Sequence, residues 1–280
     1  MIIFKTGSDL QNWILRKQQR QVITGFVPTM GALHAGHISL IQEAKKQTDI
    51  TICSIFVNPA QFNDPKDFEK YPITIENDLR LLEESGTDIL FLPPVKEIYP
   101  HGYNNLPHYE LGNLEKILEG YYRPGHFQGV CAVMHRLLAK VKPDKLFMGR
   151  KDYQQCMVIK KMMSLTGIHT QFFACATQRE ANGLAMSSRN MRLSPDAFER
   201  AAVISKALGF IKENIRTLAA PECISAAKDM IMDAGFEKID YIEICEAESL
   251  EPLSDVNEPA VALAAAFIEG VRLIDNMQLD

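Results

Sequence analysis

Val22-Ile23-Thr24-Gly25-Phe26-Val27-Pro28-Thr29-Met30-Gly31-Ala32-Leu33-His34-Ala35-Gly36-His37 decides how the rest of the chain is read. The run Val22–Val27 has the composition of a strand and stops at Pro28, which cannot donate to a sheet ladder. Ile38 to Lys46 has helical spacing. Strand, glycine-bearing turn, then helix is how α/β folds turn backbone N–H groups toward a phosphate. His34 and His37 stand three apart and share one face at the helix start. There the positive end of the helix dipole favours neutral imidazole and an anionic ligand. Three plainer readings stay open at this point: a tight turn using Gly31 and Gly36 for geometry alone, a His-x-x-His metal half-site, and two surface histidines.

Working outward, Thr6 to Gln19 reads as a helix capped by Ser8 or Asp9, with Leu10, Trp13 and Ile14 at helical spacing. Ile50–Val57 is β-branched and almost continuously apolar, as a buried parallel strand should be. Asn58-Pro59 and Asn63-Asp64-Pro65 mark loops. Thr74 to Ser85 is helical through Ile75, Leu79 and Leu82, and Ile89–Leu92 is a short strand stopped by Pro93-Pro94. The β-α-β-α-β order implies a parallel sheet with right-handed crossovers. Lys96 to Gln128 reads as irregular, a functional loop or a partner surface. From Val130 the spacing is helical until Pro143. Lys145–Gly149 is a strand, Asp152 caps a further helix, and Thr170–Thr177 is a strand. The polar stretch Gln178–Pro195 separates this α/β part from a smaller α+β part. That part has helices over 197–217 and 222–234, a strand over 239–244 and another within 260–268. No internal repeat or low-complexity segment is present.

The totals exclude several classes. With 280 residues, 46% hydrophobic and 23% charged, the chain has a soluble globular composition. No apolar run approaches the ~20 residues that span a bilayer. The first residues lack the features of a signal peptide, so a cytoplasmic location is expected. A net charge of −5 argues against a general nucleic-acid binder. The six cysteines contain no Cys-x-x-Cys and read as buried free thiols.

Three more clusters fall at or just after expected strand ends, where open α/β sheets bind ligands. Asn58 and Gln61 offer neutral amides suited to hydroxyls and a carboxylate; an ordinary Asn-Pro turn is the alternative. In Gly149-Arg150-Lys151-Asp152-Tyr153-Gln154-Gln155, Lys151 can neutralise phosphate and Asp152 can accept from a ribose hydroxyl; otherwise Asp152 is only a helix cap. In Gly183-Leu184-Ala185-Met186-Ser187-Ser188-Arg189-Asn190, two hydroxyls beside an arginine suit a phosphate clamp; a Ser-rich surface loop is the alternative. No Gly-x-Ser-x-Gly or activated cysteine accompanies them. A site rich in phosphate-seeking groups and poor in nucleophiles suits nucleotidyl transfer, where positioning and charge stabilisation do most of the work.

Together the four clusters resemble the pantothenate synthetases (pantoate–β-alanine ligases), in order, in separation and over essentially the whole chain. His34-Ala35-Gly36-His37 also resembles the HIGH signature of the wider nucleotidyltransferase superfamily. The resemblance implies a Rossmann-like N-terminal domain over 1–182 and a smaller α+β domain over 183–280 that closes over the ATP site. It implies that pantoate's carboxylate attacks the α-phosphorus of Mg-ATP, and that β-alanine's amine then attacks the pantoyl adenylate, releasing AMP. His37 and His34 would donate N–H to the reacting phosphates, with Lys151, Ser187, Ser188 and Arg189 as further catalytic groups. The ATP-binding set would be Met30, Gly31, Ala32, Leu33, His34, Ala35, Gly36 and His37, with Gly149, Arg150, Lys151, Asp152, Gln178, Met186, Ser187, Ser188 and Arg189. Pantoate would meet Met30, Asn58, Gln61 and Gln155, and Asp78 would be a magnesium partner unless it is simply an exposed helix carboxylate. A homodimer is implied, with no nucleic acid or membrane partner. Arg150 and Asn182 depart from the family pattern. The competing expectations are another HIGH-type nucleotidyltransferase and a nucleotide-binding protein without chemistry.

Overall fold

A computed structural model describes residues 1–18, 22–62, 68–69, 71–253 and 259–279. The expected Asn63-Asp64-Pro65 loop and the end of the first helix at Gln19 lie outside the described residues. The chain forms two units. One comprises Met1–Arg150 and Gln155–Ala176; the other comprises Lys151–Gln154 and Thr177–Asp280.

The first unit is built on a six-stranded sheet in the order β1-β4-β3-β2-β5-β6. Its strands are β1 (Ile2–Phe4), β2 (Thr24–Thr29), β3 (Ile50–Ile55), β4 (Ile89–Phe91), β5 (Lys145–Gly149) and β6 (Gln171–Cys175). Every pairing is parallel. Helices α2 (Ala35–Gln47) and α3 (Ile75–Glu84) supply the crossovers from β2 to β3 and from β3 to β4. All six residues of β3 are buried, which is why it reads as a continuous apolar run. From β2 the chain steps to β3 and β4 on one side, and β5 and β6 lie on the other. The topological switch therefore falls between β2 and β5, and ligands of open α/β sheets bind beyond the strand ends at such a point.

Two details differ from expectation. Pro28 lies inside β2 and does not end it, pairing with Ser54 of β3. Thr29 O accepts from Phe56 N and so faces the β3 side, while Thr24 O accepts from Asp144 N on the β5 side. Alternation puts Pro28 on the β5 side, where the β2–β5 pairs stop at Phe26. The missing N–H therefore falls beyond the end of that ladder. The N-terminal strand β1 is absent from the expected elements; it is a short, mostly exposed edge strand whose pattern is too brief to read.

Helix α1 (Gly7–Gln18) is capped by Thr6, whose Oγ1 accepts from Asp9 N at 3.3 Å, rather than by Ser8 or Asp9. The stretch 96–128 is less irregular than expected. It contains α4 (Val95–Ile98), a 3-10 turn at Gly112–Glu115, α5 (Glu119–Tyr122) and the start of α6 (His126–Val141). Its Tyr, Gly and His content hides contacts made by single turns. Helix α7 (Tyr153–Thr166) follows β5.

The second unit has an antiparallel sheet, β7 (Lys238–Glu246), β8 (Ala260–Ile268) and β9 (Val271–Gln278), in the order β7-β8-β9. The expected long helix over 197–217 is two helices, α8 (Pro195–Ala201) and α9 (Val203–Asn214), divided at Ala202. Helix α9 and helix α10 (Ala220–Asp233) share an apolar cluster with the sheet that includes Ile204, Leu208, Ile231, Ile242, Ala264 and Leu273. The division between units falls after Ala176, ahead of the expected 182/183 boundary. Residues 178–180 hydrogen bond to 183–186 in a short hairpin: Met186 N to Gln178 O, Glu180 N to Leu184 O and Gly183 N to Glu180 O.

Candidate active site

The turn after β2 is held from below by a buried carboxylate. Gly31 has φ 82°, and a Cβ there would lie 3.0 Å from Asp78 Oδ2 and 3.2 Å from Ile55 Cγ2. Ala32 takes φ 48°, a conformation that costs a non-glycine residue about 1 kcal/mol or more. Asp78 Oδ2 accepts from Ala32 N at 3.0 Å, and Oδ1 accepts from Leu33 N at 2.8 Å and from Thr74 Oγ1 at 3.0 Å. Asp78 is 1% exposed. It is therefore not an exposed helix carboxylate: its oxygens accept from the turn's backbone and from Thr74. Among the described residues, no group of three or more His, Cys, Asp or Glu can hold a metal ion.

The backbone of the same turn sets the tautomers of both histidines. His34 is the N-cap of α2, and its Nδ1 accepts from Gly36 N at 3.1 Å. His37 Nδ1 accepts from His34 N at 3.3 Å, which completes a reciprocal capping box. A ring nitrogen that accepts from N–H carries no proton, so each neutral imidazole holds its hydrogen on Nε2. The rings lie 4.1 Å apart at 47°. Two Nε2–H donors thus sit side by side at a helix N-terminus.

Beyond β3, Asn58 caps the 3-10 turn Pro59–Gln61 and is 1% exposed. Its Oδ1 accepts from Ala60 N at 3.3 Å and from Tyr99 Oη at 2.7 Å; its Nδ2 donates to Gln61 Oε1 at 3.0 Å and Gly129 O at 3.1 Å. Burial pushes the Tyr99 phenol well above its usual range, which keeps it a donor. Asn58 therefore holds Gln61 rather than offering its own amide to a ligand. Gln61 Nε2 donates to Met30 Sδ at 3.2 Å. The Gln61 amide retains one N–H and one lone pair for a ligand.

The backbone of Gln61 is fixed by residues that carry no motif in the sequence. His126 Nδ1 lies 2.7 Å from Gln61 O, and its Nε2 lies 3.1 Å from Arg123 Nη1. Arginine only donates, so Nε2 accepts and Nδ1–H donates to Gln61 O. His126 has the sequence profile of a loop histidine but is 5% exposed. A Cβ on Gly129 would collide with the backbone carbonyl of Ala60, so only glycine lets α6 come this close to the turn. Gln155 stands half-buried in the first turn of α7. A Cβ on Gly149, at the end of β5, would meet only Leu40 Cδ1 at 4.0 Å, and Arg150 N continues the ladder to Cys175 O at 2.8 Å.

In the second unit, Lys151 and Asp152 open the short segment that precedes α7. Lys151 Nζ lies 3.7 Å from Asp152 Oδ1, with the lysine side chain 17% exposed. Tyr153 Oη donates to Ala247 O at 2.9 Å, and Asn276 Nδ2 donates to Lys151 O at 2.7 Å, which ties this segment to the antiparallel-sheet unit. The hairpin running from Gln178 to Met186 leads into Ser187, whose Oγ accepts from Arg189 N at 3.3 Å and caps the turn Ser188–Arg192. Asn182, one of the two departures, accepts from Leu184 N at 3.1 Å and donates to Phe198 O at 3.1 Å. An aspartate could make only the first of these bonds. The cysteines supply no activated nucleophile. All six thiols are free, five of them buried. Burial pushes Cys53, Cys131 and Cys245 up to about 12.

Known proteins share this architecture along its whole length. The family model of pantoate–β-alanine ligases matches residues 2–278. A pantothenate synthetase of Cytophaga hutchinsonii is 43% identical over 99% of both chains. The crystal structure of the Thermus thermophilus pantothenate synthetase superposes with a TM-score of 0.91 at 37% identity, covering 100% of this chain and 99% of that one. A Francisella tularensis pantoate–β-alanine ligase, complexed with β,γ-ATP and β-alanine, gives a TM-score of 0.82 at 38% identity over 100% of this chain and 98% of its own. The chain belongs to the pantoate–β-alanine ligase family.

Proposed function

We propose that the chain condenses pantoate with β-alanine through a pantoyl adenylate, with His34 and His37 as donors to the reacting phosphates. The observation that carries this reading is the fixed tautomer: both Nδ1 atoms accept backbone N–H, so both Nε2 atoms present hydrogen. Pantoate's carboxylate is already a nucleophile at neutral pH and needs no strong base. Its oxygen forms a bond to the α-phosphorus as the bond to the β-phosphate oxygen breaks and pyrophosphate leaves. Negative charge grows on the α-phosphate, where fixed N–H donors act without reorganising.

The amide of Gln61, and that of Gln155, receive pantoate beside Met30. Lys151, Ser187, Ser188 and Arg189 hold the phosphates, and Gly149, Asp152 and the main chain near Gln178 meet the nucleoside. In the second step β-alanine's amine attacks the acyl carbon, loses a proton and displaces AMP. Magnesium, when bound with ATP, would neutralise part of the charge on its phosphates. The reading carries with it a homodimer working in the cytoplasm. Among the described residues no helix is long and apolar enough to cross a membrane. The test is exchange of labelled pyrophosphate into ATP with pantoate present and β-alanine absent. Exchange is expected; its absence with folded protein overturns the adenylate mechanism.

A further inference from the structure

We propose that the adjacent pair Asp275-Asn276 on β9, with Arg179, forms a positioning device that keeps Lys151 in register with the Ser187–Arg189 turn. The inference rests on the assignment of those four residues to the ATP phosphates. Alternation along β9 turns Val271 and Leu273 into the apolar cluster of the second unit, and Asp275 occupies the same row. A carboxylate there is 4% exposed. Stability alone does not call for it, because buried ion pairs are commonly replaceable by apolar side chains at little loss.

What the carboxylate does is hold Arg179 in a two-pronged pair. Arg179 Nη1 donates to Asp275 Oδ2 at 2.7 Å and Nη2 to Oδ1 at 3.1 Å. The same Nη1 also donates to Gly183 O at 3.1 Å, across the base of the hairpin turn. Arg179 and Ala185 are bridge partners in that hairpin, and Ala185 O accepts from Asn190 Nδ2 at 3.1 Å. The guanidinium thus sets the register of the strand that delivers Ser187. The next residue on β9 faces the other way. Asn276 is 6% exposed, its N–H donates to Asp275 Oδ1 at 2.8 Å, and its Nδ2 donates to Lys151 O at 2.7 Å. One dipeptide therefore fixes the main chain under the lysine through one side chain and the hairpin through the other. Spacing hides this from a sequence reading, because positions 151, 179 and 275 are far apart in the chain.

The test compares Asn276→Asp, which keeps the shape but loses the donor to Lys151 O, and Asp275→Asn, which weakens the grip on Arg179, with the unaltered enzyme. Each is assayed for KM of ATP, KM of pantoate, kcat and thermal midpoint. A loosened lysine or serine turn is expected to raise KM for ATP about ten-fold or more, while KM for pantoate moves by less than about two-fold. A role in folding alone lowers the active fraction, and kcat with it, at unchanged KM for ATP; that result overturns the proposal, as does an equal rise in both KM values. If Asn276→Asp does not accumulate as folded protein, Asn276→Ser removes the same donor without adding charge and is read the same way. Lys151→Ala and Arg189→Ala run alongside. If they leave KM for ATP unchanged, the phosphate assignment itself falls. If they raise it and the β9 variants do not, only the positioning device falls.

Discussion

The turn of residues 30–37 and the hairpin of residues 178–186 are both held by a buried carboxylate, but by opposite routes. Asp78 lays its oxygens directly on the N–H groups of Ala32 and Leu33. Asp275 reaches the hairpin through the guanidinium of Arg179, which then grips a carbonyl, Gly183 O. The difference follows from what each bend leaves unpaired. A turn through positive φ at Gly31 and Ala32 points N–H groups inward and needs an acceptor. The hairpin bend at Gly183 leaves a carbonyl and needs a donor. The kind of backbone group left over by the turn selects the charge of the clamp.

The sharpest way to separate clamp from function in the first turn is His37→Ala. Removing one donor to a developing phosphate charge is expected to slow pyrophosphate exchange about 10²–10³-fold. Asp78 still holds the turn in that variant, so the protein should stay folded, with the thermal midpoint lowered only by the loss of the acceptor for His34 N. Near-normal exchange would take His37 out of the mechanism. Asp78→Ala reverses the experiment by leaving the histidines and deleting the clamp. The orphaned Ala32 and Leu33 N–H groups should cost about 1–3 kcal/mol each. Urea denaturation reads this directly, and an unshifted midpoint would mean that the turn keeps its shape without the carboxylate.

Gly129→Ala acts one step further from the chemistry. Its Cβ meets the backbone of Ala60, so either α6 or the Pro59–Gln61 turn must shift, at about 1–3 kcal/mol. The displaced amide of Gln61 should raise KM for pantoate roughly ten-fold. KM for ATP is expected to hold, and a matched rise in both would show that the strain spreads instead of stopping at Gln61.

The order of these effects also marks what can be read from the sequence. The parallel sheet is legible because β2, β3 and β5 carry apolar runs separated by helical periodicity, and the groups proposed to hold the phosphates are legible because His34, His37, Lys151 and Ser187–Arg189 sit in short contiguous motifs. The clamps are not. Asp78, in an amphipathic helix, looks like any solvated carboxylate until its partner, 45 or 46 residues earlier, is known. His126 reads as a loop residue because the contact that buries it, to Gln61 O, joins positions 65 residues apart. Pro28 misleads for the opposite reason: a local rule predicts a strand end, but the neighbouring strand has already stopped pairing on that side. Local chemistry shows in local sequence, whereas groups that hold backbone across the fold leave no periodic signal.

The smallest effect is expected at Asn182, inside the second clamp's hairpin. Asn182→Asp keeps the acceptor for Leu184 N but loses the donor to Phe198 O. It also brings a carboxylate toward Glu199 Oε2, which now lies 3.4 Å from Asn182 Nδ2. The lost bond and the repulsion should cost roughly 0.5–1.5 kcal/mol. Since Glu199 is exposed, part of that loss should return as salt is raised and the two charges are screened. The Arg179 grip on Gly183 O does not pass through this side chain, so kcat/KM should remain within about two-fold of the starting value. A larger fall in kcat/KM would mean that Asn182 and Arg179 hold the hairpin jointly, and that the second clamp is less self-sufficient than the first.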